Sequence, residues 1–308
     1  LPGLPYEGPE PDGFAPPAEL VRYFRSYAER FALPVRTGVT VVSVEQPAGT
    51  EHFAVRINTG GQSEECVTSR SVVIASGLLQ TPKFPAARSR LPQDIAQFHT
   101  AGYRNPAALP PGAVVVVGSA QSGCQIAEDL LSAGRTVYLC TSKVPRVPRR
   151  YRGRDILVWW LDMKFLDVTY ASLPDKAMSR MPQPQASGVG RYGHSVSLQS
   201  LARQGAVILG RLLDVEGSRL ILGDDAAAHV HFADDFSQQA KDGVDAYLRR
   251  AGIAAPPLED DPADMPDPQA LCASPLRELD LREAGVGAVI WATGFTGGLS
   301  WLHLPVFD

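Results

Sequence analysis

The sequence predicts an α/β fold made of two three-layer, Rossmann-like domains, the second inserted into the first. Three observations predict it. Residues 113–117 form a fully apolar run that leads into a glycine-bearing turn, a helical run and a second apolar run, the opening of a βαβ unit. Ile74-Ala75-Ser76-Gly77 ends another β-rich run in a small residue, a hydroxyl and a glycine. Ile290-Trp291-Ala292-Thr293-Gly294-Phe295 repeats that ending far downstream, so the two copies bracket the βαβ unit.

Residues 1–17 are dominated by proline and glycine and predict a loop. Residues 18–31 place Leu20, Phe24, Tyr27 and Phe31 on one helical face, with prolines before and Pro34 after, and predict a helix. The runs 39–44, 53–57 and 72–75 predict three strands, with turn residues at 47–50 and at Gly60-Gly61. Prolines punctuate 82–111, which predicts a connector. Residues 113–117 then read as a strand buried on both faces, 125–133 as a helix and 136–140 as the next strand. Residues 146–155 predict a basic loop, 195–204 a helix, 206–222 two strands joined at Glu216-Gly217, and 240–251 a helix. The acidic, proline-rich 255–275 predicts a solvated loop, and 286–291 a last buried strand. The expected domains are 1–80, a connector 81–111, the inserted domain 112–286, and a return to the first domain over 287–308.

Composition excludes several functions. The 308 residues carry a net charge of −4, which gives no reason to expect nucleic acid as a partner. No stretch approaches the roughly 18 unbroken apolar residues of a membrane span, so no membrane partner is expected. Cys66, Cys124, Cys140 and Cys272 lie far apart, with neither C-x-x-C nor metal-ligand spacing. That argues against a dithiol centre or a metal site and suits a reducing cytoplasm. The chain opens at Leu1 without an initiator Met and stops at Asp308, and both ends look cut from something longer.

The chemistry sits in Gly118-Ser119-Ala120-Gln121-Ser122-Gly123, a G-x-A-x-x-G between strand and helix. Gly118 permits the tight turn and Gly123 the close helix packing. The free N–H groups and positive dipole end of the helix suit a pyrophosphate. Ala120 departs from the usual middle glycine. Gly188-Val189-Gly190-Arg191-Tyr192-Gly193 fits G-x-G-x-x-G better, but no strand leads into it, so it is set aside. A site for NAD places an acid about 20 residues on; here no acid occurs between Asp129 and Asp155. In its place stand Thr141-Ser142-Lys143, followed by Arg146, Arg149, Arg150, Arg152 and Arg154. Ser142 and Lys143 are expected to hold a 2′-phosphate, which makes the cofactor NADP, and most of the arginines are expected to be solvated.

His99-Thr100-Ala101-Gly102-Tyr103 precedes the fingerprint. With the small-residue strand ends and the NADP turn, it makes the whole chain resemble a bacterial flavin-containing monooxygenase. That family carries F-x-G-x-x-x-H-x-x-x-(Y/F) here; the H-x-x-x-Y half is present, and Gln93 and Ile95 replace the F-x-G half. The resemblance implies FAD as a second cofactor, with the NADP domain inserted into the FAD domain. It implies cofactor contacts at Ala75, Ser76, Gly77, Ala292, Thr293 and Gly294, and backbone contact with adenine at Thr40 and Val41. His99 and Tyr103 would position the nicotinamide. No nucleophile or base from the protein is expected. The implied reaction is reduction of FAD by NADPH, then transfer of oxygen from a C4a-hydroperoxyflavin to a small nitrogen or sulfur nucleophile, with O₂ as co-substrate. A homo-oligomer is compatible with the resemblance. The chain lacks the family's FAD fingerprint and is expected to be inactive by itself. Two alternatives stay open: an NADPH-dependent flavoprotein reductase without oxygenation, and a non-catalytic NADP-binding module.

Overall fold

The computed structural model describes residues 1–8, 14–60, 64–77, 79–173, 175–190, 193–268, 270–271 and 276–306. Two compact units divide the chain. The first comprises Leu1–Pro9, Ala15–Lys83 and Gly294–Asp308, and the second Glu10–Phe14 and Phe84–Thr293.

The first unit begins with α1 (Pro17–Arg30), which matches the amphipathic run. Proline opens it and Arg30 in its last turn complements the dipole. Strands β1 (Thr40–Glu45), β2 (Phe53–Asn58) and β3 (Glu64–Ser69) form an antiparallel meander. The strand expected at 72–75 is a correction. The free edge of β2 is taken by the polar run of β3, from Phe53↔Ser69 to Asn58↔Glu64. Residues 72–75 form no strand, and Val73 is 89% exposed. A short β4 (Thr81–Pro82) closes this stretch.

The second unit is a parallel sheet. Its strands are β5 (Ala96–His99), β6 (Ala113–Val117), β7 (Val137–Cys140), and, further on, β10 (Val207–Leu209) and β14 (Val286–Trp291). The spatial order is β10-β7-β6-β14-β5. Helix α2 (Gln121–Ser132) links β6 to β7. Every residue of β6 is buried because successive side chains enter opposite cores. Val114 and Val116 join Leu130, Leu139 and Ile290 on the α2 side. Val115 and Val117 face Leu209, Leu220 and Trp291. The stretch read as a connector thus contributes the edge strand β5, which pairs with β14 from Ala288↔Ala96 to Trp291↔His99.

A small hairpin, β8 (Arg150–Tyr151) and β9 (Arg154–Asp155), replaces the expected solvated loop and leads into α3 (Ile156–Asp162). Helix α4 (Leu198–Arg203) covers the sheet on the α2 side. The run 206–222 breaks into three strands rather than two. β10 joins the parallel sheet, whereas β11 (Leu212–Glu216), β12 (Arg219–Leu222) and β13 (Glu278–Asp280) form an antiparallel sheet over the opposite face. Helix α5 (Ala226–Ala251) starts at 226 instead of 240, because its buried face includes His229, Ser237 and Lys241 and so hides its periodicity.

Arg146 explains that polar face. Its side chain is 3% exposed and bonds Asp234 Oδ1 at 2.6 Å, Ser237 Oγ at 3.1 Å and Asp264 Oδ1 at 3.0 Å. Lys241 pairs with the other oxygen of Asp264. The stretch around 263–267 is therefore anchored, not solvated: Ala263 and Asp267 are buried and Asp264 sits inside the ion cluster, whereas 257–260 are exposed as expected. Cys272 and Pro275 lie outside the described residues. Two short strands, β15 (Phe295–Thr296) on β4 and β16 (Leu302–His303) parallel to β1, complete the first unit.

Candidate functional site

The C-terminal ends of the parallel strands carry the site, as the open-sheet rule requires. Gly118 follows β6 with φ +108°, and its N–H bonds Cys140 O at 2.9 Å. A Cβ there would stand 2.5 Å from Ala292 O, so Gly118 lets β6 and the end of β14 close up. Ala292 N–H in turn bonds Val117 O at 2.8 Å. Ala120 is the N-cap of α2 in extended backbone, with no side-chain cap, and the helical ladder starts at Cys124 N to Ala120 O. The N–H groups of Gln121, Ser122 and Gly123 are left for a ligand. The cradle fits a pyrophosphate.

Ser119 and Ser142, marked separately in the sequence, bond each other. Ser142 N–H donates to Ser119 Oγ at 3.0 Å, and that hydroxyl donates to Ser142 O at 3.3 Å. This ties the fingerprint turn to the end of β7. Lys143 is exposed, its Nζ 4.7 Å above the Phe232 ring. Four of the five arginines that follow pair with carboxylates: Arg146 as above, Arg149 to Asp155, Arg152 to Asp245 at 2.7 Å and Arg154 to Asp162 at 3.0 Å. Arg146, Arg149 and Arg152 are thereby drawn in from solvent, a correction to the expected solvated loop, whereas the Arg154 side chain is 41% exposed.

A cavity of about 330 Å³ joins the fingerprint to the end of β7, lined by Gly118, Ser142, Arg211, Leu212, Leu213 and Thr293. Arg211 escaped the sequence reading, because 206–222 was taken as one pair of strands. Once β10 is seen as a strand of the parallel sheet beside β7, Arg211, two residues past its end, falls at the ligand edge.

On the other side of the fingerprint, β5 ends in His99, which is 7% exposed. Its Nδ1 accepts the N–H of Ala101 at 3.2 Å, and its ring lies edge-on to Phe84. Tyr103 donates its hydroxyl to Asp129 Oδ2 on α2 at 2.6 Å. Burial, then the Asp129 bond and charge, push its phenol far above the ordinary value. Tyr103, Thr100, Ser122, Gln125 and Asp129 line a second cavity of about 390 Å³. The sequence motif thus places His99 and Tyr103 at the β14 side of the turn.

The discarded glycine motif packs against α2 instead of opening a helix. Gln121 Oε1 accepts Ala186 N–H at 2.8 Å, and Val189 N–H donates to Glu128 Oε2 at 2.6 Å. No strand element precedes Gly188 directly; Arg191 and Tyr192 lie outside the described residues.

In the first unit, Thr40, Val41, Val73, Ile74, Ser76 and Trp301 line an apolar cavity of about 560 Å³. Ser76 Oγ and Gly77 O both accept from Gln80 Nε2, at 2.6 and 2.9 Å. Ala75, Ser76 and Gly77 end no strand and lie inside this unit, a correction to the expected symmetry with the downstream copy. Thr293 and Gly294 do fall where the chain passes between units. Among the described residues no cluster could hold a metal ion, and no helix is long and apolar enough to cross a membrane.

Residues 13–159 match the family model for pyridine nucleotide-disulphide oxidoreductases. The flavin-containing monooxygenase from Stenotrophomonas maltophilia superposes with a TM-score of 0.55 at 17% identity, covering 98% of this chain and 64% of that one. The chain has the fold of the flavin-containing monooxygenases, the family its sequence resembles. Among curated relatives, the uncharacterised CzcO-like oxidoreductase of Geobacillus kaustophilus is 34% identical over 185 residues, 60% of this chain and 51% of that protein. CzcO of Bacillus subtilis is 28% identical over 232 residues, 75% and 63% respectively. The chain therefore spans about half to two thirds of the length of the curated relatives it matches.

Proposed function

We propose that the protein carrying this chain is an FAD- and NADPH-dependent monooxygenase acting on a small nitrogen or sulfur nucleophile in the cytoplasm. The observation that supports the reading is the glycine turn at the parallel strand ends, where Gly118 and Gly123 let strand and helix close so tightly that no Cβ would fit and the free N–H groups of the first turn of α2 face outward. NADPH supplies a hydride and FAD the two-electron and oxygen chemistry when bound. The protein's own residues bind and orient. The first turn of α2 holds the pyrophosphate, and Ser142 with Lys143 faces the adenosine end. His99 and Tyr103 stiffen the β14 side, where the nicotinamide would lie, and help to exclude water there.

The described cysteines lend no support to the reductase alternative in a form that works through a dithiol. Cys124 and Cys140 are free and fully enclosed, burial pushes the Cys140 thiol up to about 12, and Cys66 is free on the surface. Buried, protonated thiols are poor redox partners. They also suit a reducing compartment.

The test uses protein at the length of its curated relatives. NADPH oxidation, O₂ uptake and oxygenated product from a tertiary amine or thioether should rise together. NADPH oxidation without oxygen transfer would hand the reading to a reductase, and a colourless protein to a binding module.

A further inference from the structure

We propose that Gln185 is a positioning residue for the pyrophosphate cradle: it holds the Ser119 carbonyl inward and so turns the Ala120 N–H toward the ligand. This rests on the NADP reading above, and it gives a role to the segment leading into the discarded glycine motif.

The backbone of Gln185 is pinned beside the chain that follows β7. Its N–H donates to Pro145 O at 2.9 Å, and its carbonyl accepts Val147 N–H at 2.8 Å. From there its fully buried side chain reaches the fingerprint turn, where Nε2 donates to Ser119 O. Cys124 Sγ donates to the same carbonyl at 3.2 Å. The peptides are trans, and the C=O and N–H of a trans peptide point in opposite directions. With Ser119 O drawn to two buried donors, the Ala120 N–H is aimed away from both. It makes no bond among the described residues. It thus extends the open N–H groups of the first turn of α2 by one.

Helix α2 holds the brace in place. Gln121 Oε1 accepts Ala186 N–H at 2.8 Å and Ser187 N–H at 3.3 Å, and Gln121 and Gln125 both donate to Ser187 O. Gly188 lies so close to the helix that a Cβ would stand 2.5 Å from Glu128 Oε2.

The other end of the Gln185 amide separates this role from packing. Oε1 is buried and has no hydrogen-bond partner among the described residues. An unpaired buried oxygen costs stability, so an apolar side chain of similar length would serve the core at least as well. The amide is needed for what its N–H does, which is to hold the Ser119 carbonyl.

The experiment uses protein at the length of its curated relatives. Titration calorimetry compares NADP⁺ with adenosine 2′-monophosphate in the parent and in Gln185→Met. The monophosphate carries no pyrophosphate, so it reports the rest of the site and an intact fold. Gln185→Met should weaken NADP⁺ at least about tenfold and leave the monophosphate within about twofold, with a melting temperature close to the parent's. If Gln185→Met binds NADP⁺ as the parent does, the Gln185 assignment fails while the NADP reading stands. Equal losses for both ligands, or a collapsed melt, would make Gln185 a structural residue and overturn the assignment as well. If the parent does not bind NADP⁺, both readings fail.

Discussion

A Cβ on Gly123 would stand 1.9 Å from the carbonyl oxygen of Gly118. The turn from β6 into α2 therefore has no slack at either glycine. Gly123→Ala is expected to pry strand and helix apart, costing about 3 kcal/mol, and to abolish NADP binding. Thermal melts and calorimetry check both; an unchanged melt with full affinity would show that the turn can yield.

Ala120 contrasts with it. Its backbone (φ −74°, ψ −177°) is ordinary extended chain. Ala120→Gly should cost only about 0.4–1 kcal/mol, through the freer unfolded chain. NADP binding should be unchanged or tighter. Lost binding with an intact melt would move the pyrophosphate elsewhere.

Lys143 offers a cofactor-selectivity test. In Lys143→Ala, kcat/KM for NADPH should fall about tenfold more than for NADH, because a point charge near the phosphate is removed. Equal losses would assign Lys143 to the surface.

Tyr103 is tied to α2 through Asp129, so Tyr103→Phe should cost about 1–2 kcal/mol of stability. Reduction of the flavin by NADPH should stay within about an order of magnitude, or 1.4 kcal/mol. More of the electrons should end as hydrogen peroxide. Rapid-mixing absorbance and a peroxide assay read these separately, and a large loss of reduction rate would give Tyr103 a direct part in hydride transfer.

Acid should weaken the second unit through two groups. Burial holds His229 below its ordinary 6.5, against the pull of Asp225 and with Arg211 and Lys143 adding to the effect. Between the folded value and 6.5 the unfolded chain binds the proton and the folded chain does not. Stability therefore falls as pH drops through that window, by at most about 1.4 kcal/mol per unit. For Asp264 burial favours the neutral acid, but Lys241 and Arg146 outweigh it and hold the carboxyl below 3.8. Its contribution is present above 3.8 and is lost as pH falls through the folded value. Urea melts from pH 8 to 4 should show the His229 slope, and His229→Asn should flatten it below pH 6.5.

The β6–α2–β7 unit was legible because its signals are local: five apolar residues, two glycines and a short amphipathic helix. Long-range pairing hid the rest. Strand β3 is polar and pairs with β2, whereas the more apolar 72–75, expected to be a strand, forms none. The start of α5 was masked because its buried side faces ions instead of aliphatic chains. Ser119 and Ser142 were both marked, yet their mutual bond spans two strands and only the fold reveals it. Arg211 was missed for the same reason: it falls at the ligand edge only once β10 is placed in the parallel sheet beside β7.

The cluster around Arg146 closes a bond between residues 118 positions apart. It fastens the segment that looked like surface to α5 and to the chain after β7 at once. Removing either partner strands a charge, so the contact resists piecemeal opening. The segment around Asp264 should accordingly unfold in a single cooperative step with α5 instead of fraying first. Amide hydrogens near 263 would then exchange at the rate set by global opening, despite a composition that reads as loop.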